Sequence, residues 1–305
     1  MSAPDKFVLV VGCGYTGLEL TQRLTFKGIP VVGTTRSLER CGIIRTRGAT
    51  ALQLDLTDLS PLAKIRGKVR AVVHMAPPAK GPEGSYIDRT GQLLEWASHE
   101  PLDKFIYVSS TSVYGDYGGA EVTENSSCRP DSPRGRKRLE IEQEVLHSSL
   151  PAIVVRPSGI YGPGRSMLHR LAERKYRLVA GGHSTTNRIH VRDLATIIEK
   201  AISHGEPGAT YLASDAMPTA QRELVDRLCQ EFGVPRPTEL SAEEAAVRMP
   251  IDVLKMVMGS KKINSEWTRS SLDIRLKFPD FMTGCRDIWN RERVALEDLW
   301  SQGKA

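Results

Sequence analysis

Long hydrophobic runs are absent from this chain of 305 residues. The longest apolar stretch near its N-terminus is Phe7 to Val11, which follows the charged Asp5 and Lys6. A membrane-spanning helix needs about 20 apolar residues, and the core of a signal peptide needs about 7 to 15. We therefore expect a cytoplasmic protein with no membrane partner. Hydrophobic residues still make up 40% of the chain, which is enough for a full globular core.

Cysteine is scarce and scattered. The five cysteines are odd in number, and no two of them form a C-x-x-C pair, so the sequence indicates neither a disulfide framework nor a zinc site. We expect reduced thiols and no bound metal. The cysteines are Cys13, Cys41, Cys128, Cys229 and Cys285.

Acidic residues are fewer than basic ones, and the basic excess is concentrated in one segment of the chain. The chain has 42 Lys and Arg against 36 Asp and Glu, a net charge of +6. Residues 129–192 alone contain thirteen basic and five acidic residues, a local charge of +8. This excess indicates either a solvated basic face or a pocket for a polyanionic small molecule. No helix-turn-helix, zinc or aromatic RNA-binding motif accompanies it, so we expect no nucleic-acid partner.

Apolar, β-branched runs alternate with helix-length segments through the first half of the chain. This alternation predicts an α/β fold, a Rossmann-like doubly wound parallel sheet covered by helices on both faces. The predicted strands are Phe7 to Val11, Val31 to Thr35, Thr50 to Leu54, Ala71 to Met75, Phe105 to Ser109 and Ala152 to Arg156. The predicted crossover helices lie near 15–27, 38–47, 57–65, 84–99 and 132–149.

The pattern changes after Pro157, where Gly- and Pro-rich loops and a basic helix near 166–177 follow. We predict a dinucleotide-binding Rossmann domain at 1–164, to which 188–216 returns. Residues 165–187 and 217–305 are predicted to form a smaller C-terminal substrate lobe. Such a lobe would lie at the carboxyl edge of the sheet, where this kind of fold binds its ligands.

A glycine-rich turn, Gly12-Cys-Gly14-Tyr15-Thr16-Gly17, follows the first predicted strand and opens a helix. Gly12 allows the tight turn, Gly14 lets a pyrophosphate approach the backbone, and Gly17 lets the helix pack on the strand. Tyr15 and Thr16 are predicted to contact the same cofactor. The alternative is a tight turn that binds nothing.

The second predicted strand ends without the acidic residue that would bind the ribose 2′-hydroxyl of NAD. Arg36 follows it instead and could bind a 2′-phosphate, so NADP is expected, with NAD as the alternative. Asp55 and Leu56 follow the third strand, where Asp55 either caps a turn or accepts from the adenine amino group. His74 and Ala76 at the end of the fourth strand are further predicted cofactor contacts, although His74 is equally well explained as a hydrogen-bonded strand-end residue.

Taken together, these motifs resemble the extended short-chain dehydrogenase/reductases, the NAD(P)-dependent epimerase/dehydratase superfamily. The resemblance covers most of the chain and implies a nicotinamide cofactor. It is carried by Gly12 to Gly17, Val72-Val-His-Met-Ala76, Phe105-Ile-Tyr-Val-Ser-Ser-Thr-Ser-Val-Tyr-Gly115, Arg156-Pro-Ser-Gly-Ile-Tyr-Gly-Pro-Gly164 and Arg188-Ile-His-Val-Arg-Asp-Leu194.

The resemblance implies a catalytic Ser110, four residues before Tyr114, that would stabilise charge on the reacting oxygen of the substrate. The family also uses a Tyr-x-x-x-Lys pair, and here the chain departs from it. Arg134 occupies the tyrosine position and Arg138 the lysine position. Arginine, with a pKa above about 12, cannot serve as the general acid or base.

Arg138 could still bind the nicotinamide ribose, and Arg134, one helical turn away, could bind a substrate carboxylate or phosphate. Alternatively the basic cluster forms ordinary exposed helix pairs, such as Arg138 with Glu142. Another proton donor is then required. The family fold would bring four candidates towards the cleft: Tyr114, Tyr117, Tyr161 and His190. The predicted substrate contacts are Arg134, Tyr161, Arg165 and His190.

The sequence thus favours an NADP-dependent oxidoreductase that acts on a carbonyl or hydroxyl group of an anionic small molecule. Two alternatives stay open. The missing pair also fits a non-catalytic NAD(P)-binding sensor or regulatory protein, and the basic lobe fits a nucleotide-sugar epimerase. Family members commonly form homodimers, and nothing in the sequence decides that point.

Overall fold

A computed structural model describes residues 6–65 and 67–302 of the chain. Residues 1–5 and 303–305, which belong to the predicted domains, lie outside the described residues. In the described chain, seven parallel strands form a central sheet in the order β7-β6-β5-β4-β1-β2-β3. The strands are β1 (Lys6–Val11), β2 (Val31–Thr35), β3 (Thr50–Gln53), β4 (Lys68–His74), β5 (Lys104–Val108), β6 (Ala152–Pro157) and β7 (Thr210–Ala213).

The predicted doubly wound sheet is confirmed, and all six predicted strands are present. Five of them are short runs that are mostly buried, the pattern that parallel strands require, whereas the edge strand β3 is half-buried or exposed along its length. The seventh strand, β7, was not predicted as a strand. It contains only four residues and pairs in parallel with β6 at the edge of the sheet.

Eleven α-helices connect or cover these strands within the described residues. They are α1 (Tyr15–Phe26), α2 (Leu38–Thr46), α3 (Thr90–Ser98), α4 (Pro133–His147), α5 (Met167–Ala172), α6 (Val191–His204), α7 (Gln221–Phe232), α8 (Ala242–Arg248), α9 (Ile251–Met258), α10 (Glu266–Ser271) and α11 (Phe281–Gln302).

Three predicted helices differ from the structure. The basic helix predicted near 166–177 ends at Ala172, and Arg177 already belongs to a short strand. The segment near 57–65 forms only a short 3-10 turn, Ser60–Lys64, with a proline in its first turn. The first part of the predicted helix near 84–99 is instead a small hairpin, in which Ala79–Lys80 pairs with Tyr86–Ile87. Gly84 takes a φ of +75° in this hairpin, a conformation that suits a turn and not a helix.

The core has three main parts. One apolar cluster lies on the face of the sheet covered by α1 and α6, and a second lies on the face covered by α3 and α4. A third cluster lies outside the sheet and unites residues of α5, α7 and α11. The loops that follow β4 and β5 leave the sheet at its carboxyl edge, so their side chains meet there.

Short strand pairs hold the remaining segments in place. Gly159–Tyr161 pairs with Arg188–His190, Arg177–Val179 with Thr238–Leu240, Thr185–Thr186 with Thr219–Ala220, and Glu121–Val122 with Lys262–Ile263. Across residues 6–65 and 67–302, no helix is long and apolar enough to cross a membrane.

Candidate functional site

The turn after β1 has the three properties that a pyrophosphate-binding turn needs. Gly12 has a φ of +80°, and a Cβ atom there would lie 2.7 Å from the backbone nitrogen of Ala76. A Cβ on Gly17 would approach Val10 at 3.3 Å, so the glycine permits close packing of α1 on β1. Beside Gly14 the nearest atom would be 3.9 Å away, which leaves space for a ligand at the backbone.

The N-terminus of α1 adjoins this open space. Gly14 is its N-cap, no side chain caps the helix, and its first turn has no acidic residue. Free backbone N–H groups and the helix dipole therefore favour an anion here. Tyr15 points elsewhere: its hydroxyl donates to the carbonyl of Pro163 at 3.0 Å, and the Arg165 guanidinium lies over its ring. Thr16 is half-buried in the first turn.

An exposed arginine, Arg36, directly follows β2. Arg36 is solvent-exposed and forms no salt bridge with any described residue. Ser37 is already engaged, since its hydroxyl caps α2 by accepting from the backbone of Arg40. Asp55, beyond β3, accepts from both the backbone and the hydroxyl of Thr57 at 2.9 Å. These hydrogen bonds lower the pKa of Asp55, which acts here as a turn cap.

His74 and Tyr107 lie side by side at the ends of β4 and β5. The Nε2 atom of His74 is 3.0 Å from the hydroxyl of Thr90, whereas its Nδ1 atom and the Tyr107 hydroxyl have no hydrogen-bond partner in the described chain. Burial lowers the pKa of His74 to about 4, so the ring is neutral at physiological pH. Ala76 follows on the same loop, against Gly12.

The predicted catalytic residues Ser110 and Tyr114 have different surroundings. Ser110 is half-buried at the carboxyl end of β5, where its hydroxyl accepts from the backbone of Ser112 at 3.1 Å. Tyr114 is fully buried, and its hydroxyl accepts from Nη1 of Arg156 at 2.7 Å. Burial raises the pKa of Tyr114 to about 12. Tyr114 therefore stays protonated inside a structural network, whereas Ser110 lies at the edge of the sheet.

Helix α4 brings Arg134 and Arg138, which occupy the positions of the family's Tyr-x-x-x-Lys pair, to the end of β5. A Cβ on Gly135 would lie 2.9 Å from the carbonyl of Ser112, so the glycine lets the helix approach the Ser110 turn closely. Arg138 is only 8% exposed, and its Nη1 atom donates to the carbonyl of Val108 at 3.3 Å. The described residues give it no salt bridge. Burial and the nearby Arg134 charge lower the pKa of Arg138.

The exposed helix pair of Arg138 with Glu142 is therefore not formed. Glu142 instead makes a bidentate salt bridge with Arg156 deep in the interior, in which Nη2 donates to Oε2 at 2.6 Å and Nε donates to Oε1 at 3.2 Å. Arg134 is exposed on the first turn of α4 and has no described salt bridge of its own.

The predicted substrate contacts Tyr161 and His190 lie together, but they are buried. Their ring centroids are 5.2 Å apart, and the centroid of the His190 ring lies 3.9 Å from that of Phe278. Burial lowers the pKa of His190 to about 4, and its Nε2 atom has no hydrogen-bond partner among the described atoms. The structure thus places this pair in the junction between the sheet and α11, and Arg165 on the exposed loop nearby.

A side-chain pair that the sequence analysis did not identify borders α4. The hydroxyl of Tyr86 donates to Oδ2 of Asp252 at 2.6 Å, and Oδ1 of Asp252 accepts from the backbone of Arg134 at 3.3 Å. The two residues are 166 positions apart in the sequence, which gives no local signal of their contact. Within the described parts of the chain, no cluster of His, Cys, Asp and Glu could hold a metal ion.

The fold and the open glycine turn define a Rossmann protein with a nucleotide-binding edge. The family profile described as "NAD dependent epimerase/dehydratase family" matches residues 8–213. The chain belongs to that family, and its relatives are reductases, epimerases and dehydratases by name.

One curated relative is the 2-alkyl-3-oxoalkanoate reductase of Stenotrophomonas maltophilia, 27% identical over 275 residues, which represent 80% of this chain and 81% of the relative. A solved structure of a conserved protein of unknown function from Silicibacter pomeroyi matches with a TM-score of 0.79 and 26% identity, covering 94% of this chain and 99% of that one. The dTDP-glucose 4,6-dehydratase of Bacillus anthracis, solved with NAD, has a TM-score of 0.79 over 98% of this chain and 100% of its own. At 19% identity it shares the fold.

Proposed function

We propose that the protein is an NADP-dependent oxidoreductase that interconverts a carbonyl and a hydroxyl group on an anionic small molecule. The observation that carries this proposal is the open turn at Gly12–Gly17, followed beyond β2 by an exposed arginine with no described ion pair. A bound nicotinamide cofactor would supply or accept the hydride. The residues of this chain bind it, orient the substrate and hold the charge that develops on the reacting oxygen.

The residues present fit such a cofactor. Gly14 leaves room for a pyrophosphate at the uncapped N-terminus of α1. Arg36 is free to bind a 2′-phosphate, which is why NADP is favoured over NAD. Arg138 is a buried cation that donates to one backbone carbonyl and lies beside the Tyr107 phenol, so some of its five donors are left for the nicotinamide ribose. Asp55, Leu56, His74 and Ala76 would line the remainder of the site.

The substrate end of the proposal depends on the polar groups around α4. Ser110 would donate a hydrogen bond to the reacting oxygen, and Arg134 would bind a carboxylate or phosphate of the substrate. The name of the 2-alkyl-3-oxoalkanoate reductase describes reduction of an oxo acid, which combines a carbonyl with a carboxylate. We propose the same substrate class here, with its carboxylate bound by Arg134 and its reacting oxygen by Ser110.

The proposal is tested by following NADPH and NADH oxidation with a panel of 2-oxo and 3-oxo carboxylates. We expect turnover of at least one member, with kcat/KM at least about 10-fold higher for NADPH. Arg36→Ala should remove most of this preference, because it removes the guanidinium that binds the 2′-phosphate. Arg45→Ala, an exposed arginine at the other end of α2, is the matched control and should leave the preference unchanged.

A sensor or regulatory protein is the second candidate, and one observation favours it. Arg134 and Arg138 replace the family's acid and base, and Tyr114 is buried in a salt-bridge network. NADPH binding without oxidation of the cofactor by any member of the panel would support this candidate over the oxidoreductase. Loss of turnover in Ser110→Ala by roughly 100-fold, with NADPH affinity retained, would instead support catalysis.

A further inference from the structure

The hairpin that follows β4 places a phenol beside the two arginines of α4. Tyr86 belongs to the strand Tyr86–Ile87, which packs against α4. The turn of the hairpin is fixed by hydrogen bonds, since Gly81 donates to the carbonyl of Ser85 and the hydroxyl of Ser85 donates to Pro82. The position of Tyr86 is therefore set by local hydrogen bonds as well as by packing.

The Tyr86 hydroxyl has one described hydrogen-bond partner, and that partner is a base. It donates to Oδ2 of Asp252 on α9 at 2.6 Å. The other carboxylate oxygen of Asp252 accepts from the backbone nitrogen of Arg134, so Asp252 is fixed at the N-terminus of α4. A tyrosine with its proton directed at a carboxylate can pass that proton on when it receives another one.

The charges around this hydroxyl come from two helices. Asp252 on α9 raises the pKa of Tyr86, and the Arg134 and Arg138 charges on α4 lower it. Arg138 also reaches the carbonyl of Val108, two residues before Ser110. Helix α4 therefore contacts both the turn that follows Ser110 and the strand that carries Tyr86.

Resting on the function proposed above, we infer that Tyr86 is the proton-transfer residue, with Asp252 as the group that receives its proton. When a substrate hydroxyl is oxidised, its O–H bond breaks and the proton passes to Oη of Tyr86. Tyr86 passes its own proton to the Asp252 carboxylate, which releases it to water. A bound oxidised nicotinamide cofactor would accept the hydride, two electrons and one proton, that the carbon loses. In reduction each transfer runs in reverse.

The inference is tested without substrate by NMR of protein labelled with [13Cζ]tyrosine, in which Tyr86→Phe identifies the Tyr86 resonance among the eight tyrosines. In the free protein, Asp252→Asn should lower the pKa of Tyr86, because it removes the carboxylate that raises it. Saturating NADP⁺ should lower the pKa of Tyr86 in the wild-type protein by at least about one unit, because the inferred role requires the positive nicotinamide ring to bind near the phenol, where it would favour the phenolate.

Activity supplies the second readout. With the oxo acid that the wild-type protein reduces, Tyr86→Phe should lower kcat by about 100-fold or more while the affinity for NADP⁺ is retained. Tyr176→Phe is the matched control, because the hydroxyl of Tyr176 bonds to Gln221 in the smaller lobe. It should leave kcat unchanged.

The possible outcomes are distinct. If NADP⁺ binds but leaves the pKa of Tyr86 unchanged, or if Asp252→Asn leaves it unchanged in the free protein, the inference is overturned and the proposed function stands. If NADP⁺ does not bind to the wild-type protein, the proposed function fails and the inference fails with it.

Discussion

Two arginines are buried near the carboxyl edge of the sheet, and their surroundings differ. Arg156 on β6 is 7% exposed and donates from all three of its nitrogens, Nε and Nη2 to Glu142 and Nη1 to the Tyr114 hydroxyl. Arg138 on α4 is 8% exposed and has no salt bridge among the described residues; it donates to one backbone carbonyl and lies beside the Tyr107 phenol. Glu142 lies one turn from Arg138 on the same helix, yet it pairs with Arg156.

The difference indicates that Arg156 stabilises the fold, whereas Arg138 is available to a ligand. A buried cation without a counter-ion is costly, so a folded protein retains one mainly where an outside partner completes it. We call Glu142, Arg156 and Tyr114 the paired cluster. We call Arg138, His74 and Tyr107 the open cluster, because each has a polar group that the described residues leave partly or wholly unpaired.

The largest effect is expected in the paired cluster. Glu142→Gln removes the carboxylate and leaves the Arg156 charge buried, which should reduce the free energy of unfolding by about 3–5 kcal/mol. Chemical denaturation at neutral pH measures this change, with the exposed Glu140→Gln as the control on the same helix. A loss below about 1 kcal/mol in Glu142→Gln would mean that the two clusters do not differ as described.

A somewhat smaller effect is expected from pH in the open cluster. The pKa of His74 is about 4 in the folded protein against an ordinary value of 6.5. The unfolded chain therefore binds more protons between these values, and the free energy of unfolding falls as the pH is lowered from about 6.5 towards 4. The full contribution of His74 is about 3 kcal/mol.

Comparing wild type with His74→Gln isolates this contribution, because His190 and the buried carboxylates act equally in both proteins. The wild-type protein should lose more stability than the variant over this pH range. Parallel curves for the two proteins would show that His74 is not held in its neutral form by burial.

The smallest effect links two members of the open cluster. Arg138 is one of the charges that lower the pKa of His74. Arg138→Met should therefore raise the pKa of His74, by less than about one unit because burial is the larger cause. Histidine NMR titration measures the shift. No upward shift would mean that the two side chains are electrically independent.

The parts of the molecule that sequence reasoning found are those with local signals. The glycine turn and the strands are short and continuous, so spacing and apolar runs were sufficient to predict them. The salt-bridge partner of Glu142 could not be predicted from the sequence. Glu142 has i,i+4 spacing from Arg138, whereas its actual partner, Arg156, lies 14 residues further along the chain. The contact of Tyr86 with Asp252 could not be predicted either, since the two residues are 166 positions apart.

The hairpin around Tyr86 differs from these contacts, because the sequence contains turn-forming residues that predict it. Pro77-Pro78, Gly81-Pro82 and Gly84 all precede Tyr86, and each disfavours a helix. The predicted helix from residue 84 is therefore wrong in its first part, since α3 begins at Thr90, after the hairpin strand Tyr86–Ile87. Correct treatment of the turn residues would have placed Tyr86 on the loop that follows β4, at the ligand edge of the sheet.

The central prediction is that Arg138, which has no salt bridge among the described residues, is held for a ligand. It is tested most directly by the free energy of unfolding of wild type and Arg138→Met, each with and without NADPH. Without NADPH, we predict that the variant is at least as stable as wild type. At 100 times the wild-type Kd, NADPH should stabilise the wild-type protein by about 2.7 kcal/mol and a variant that binds 10-fold more weakly by about 1.4 kcal/mol. A variant that is destabilised without NADPH and gains as much from NADPH as the wild type would contradict the claim.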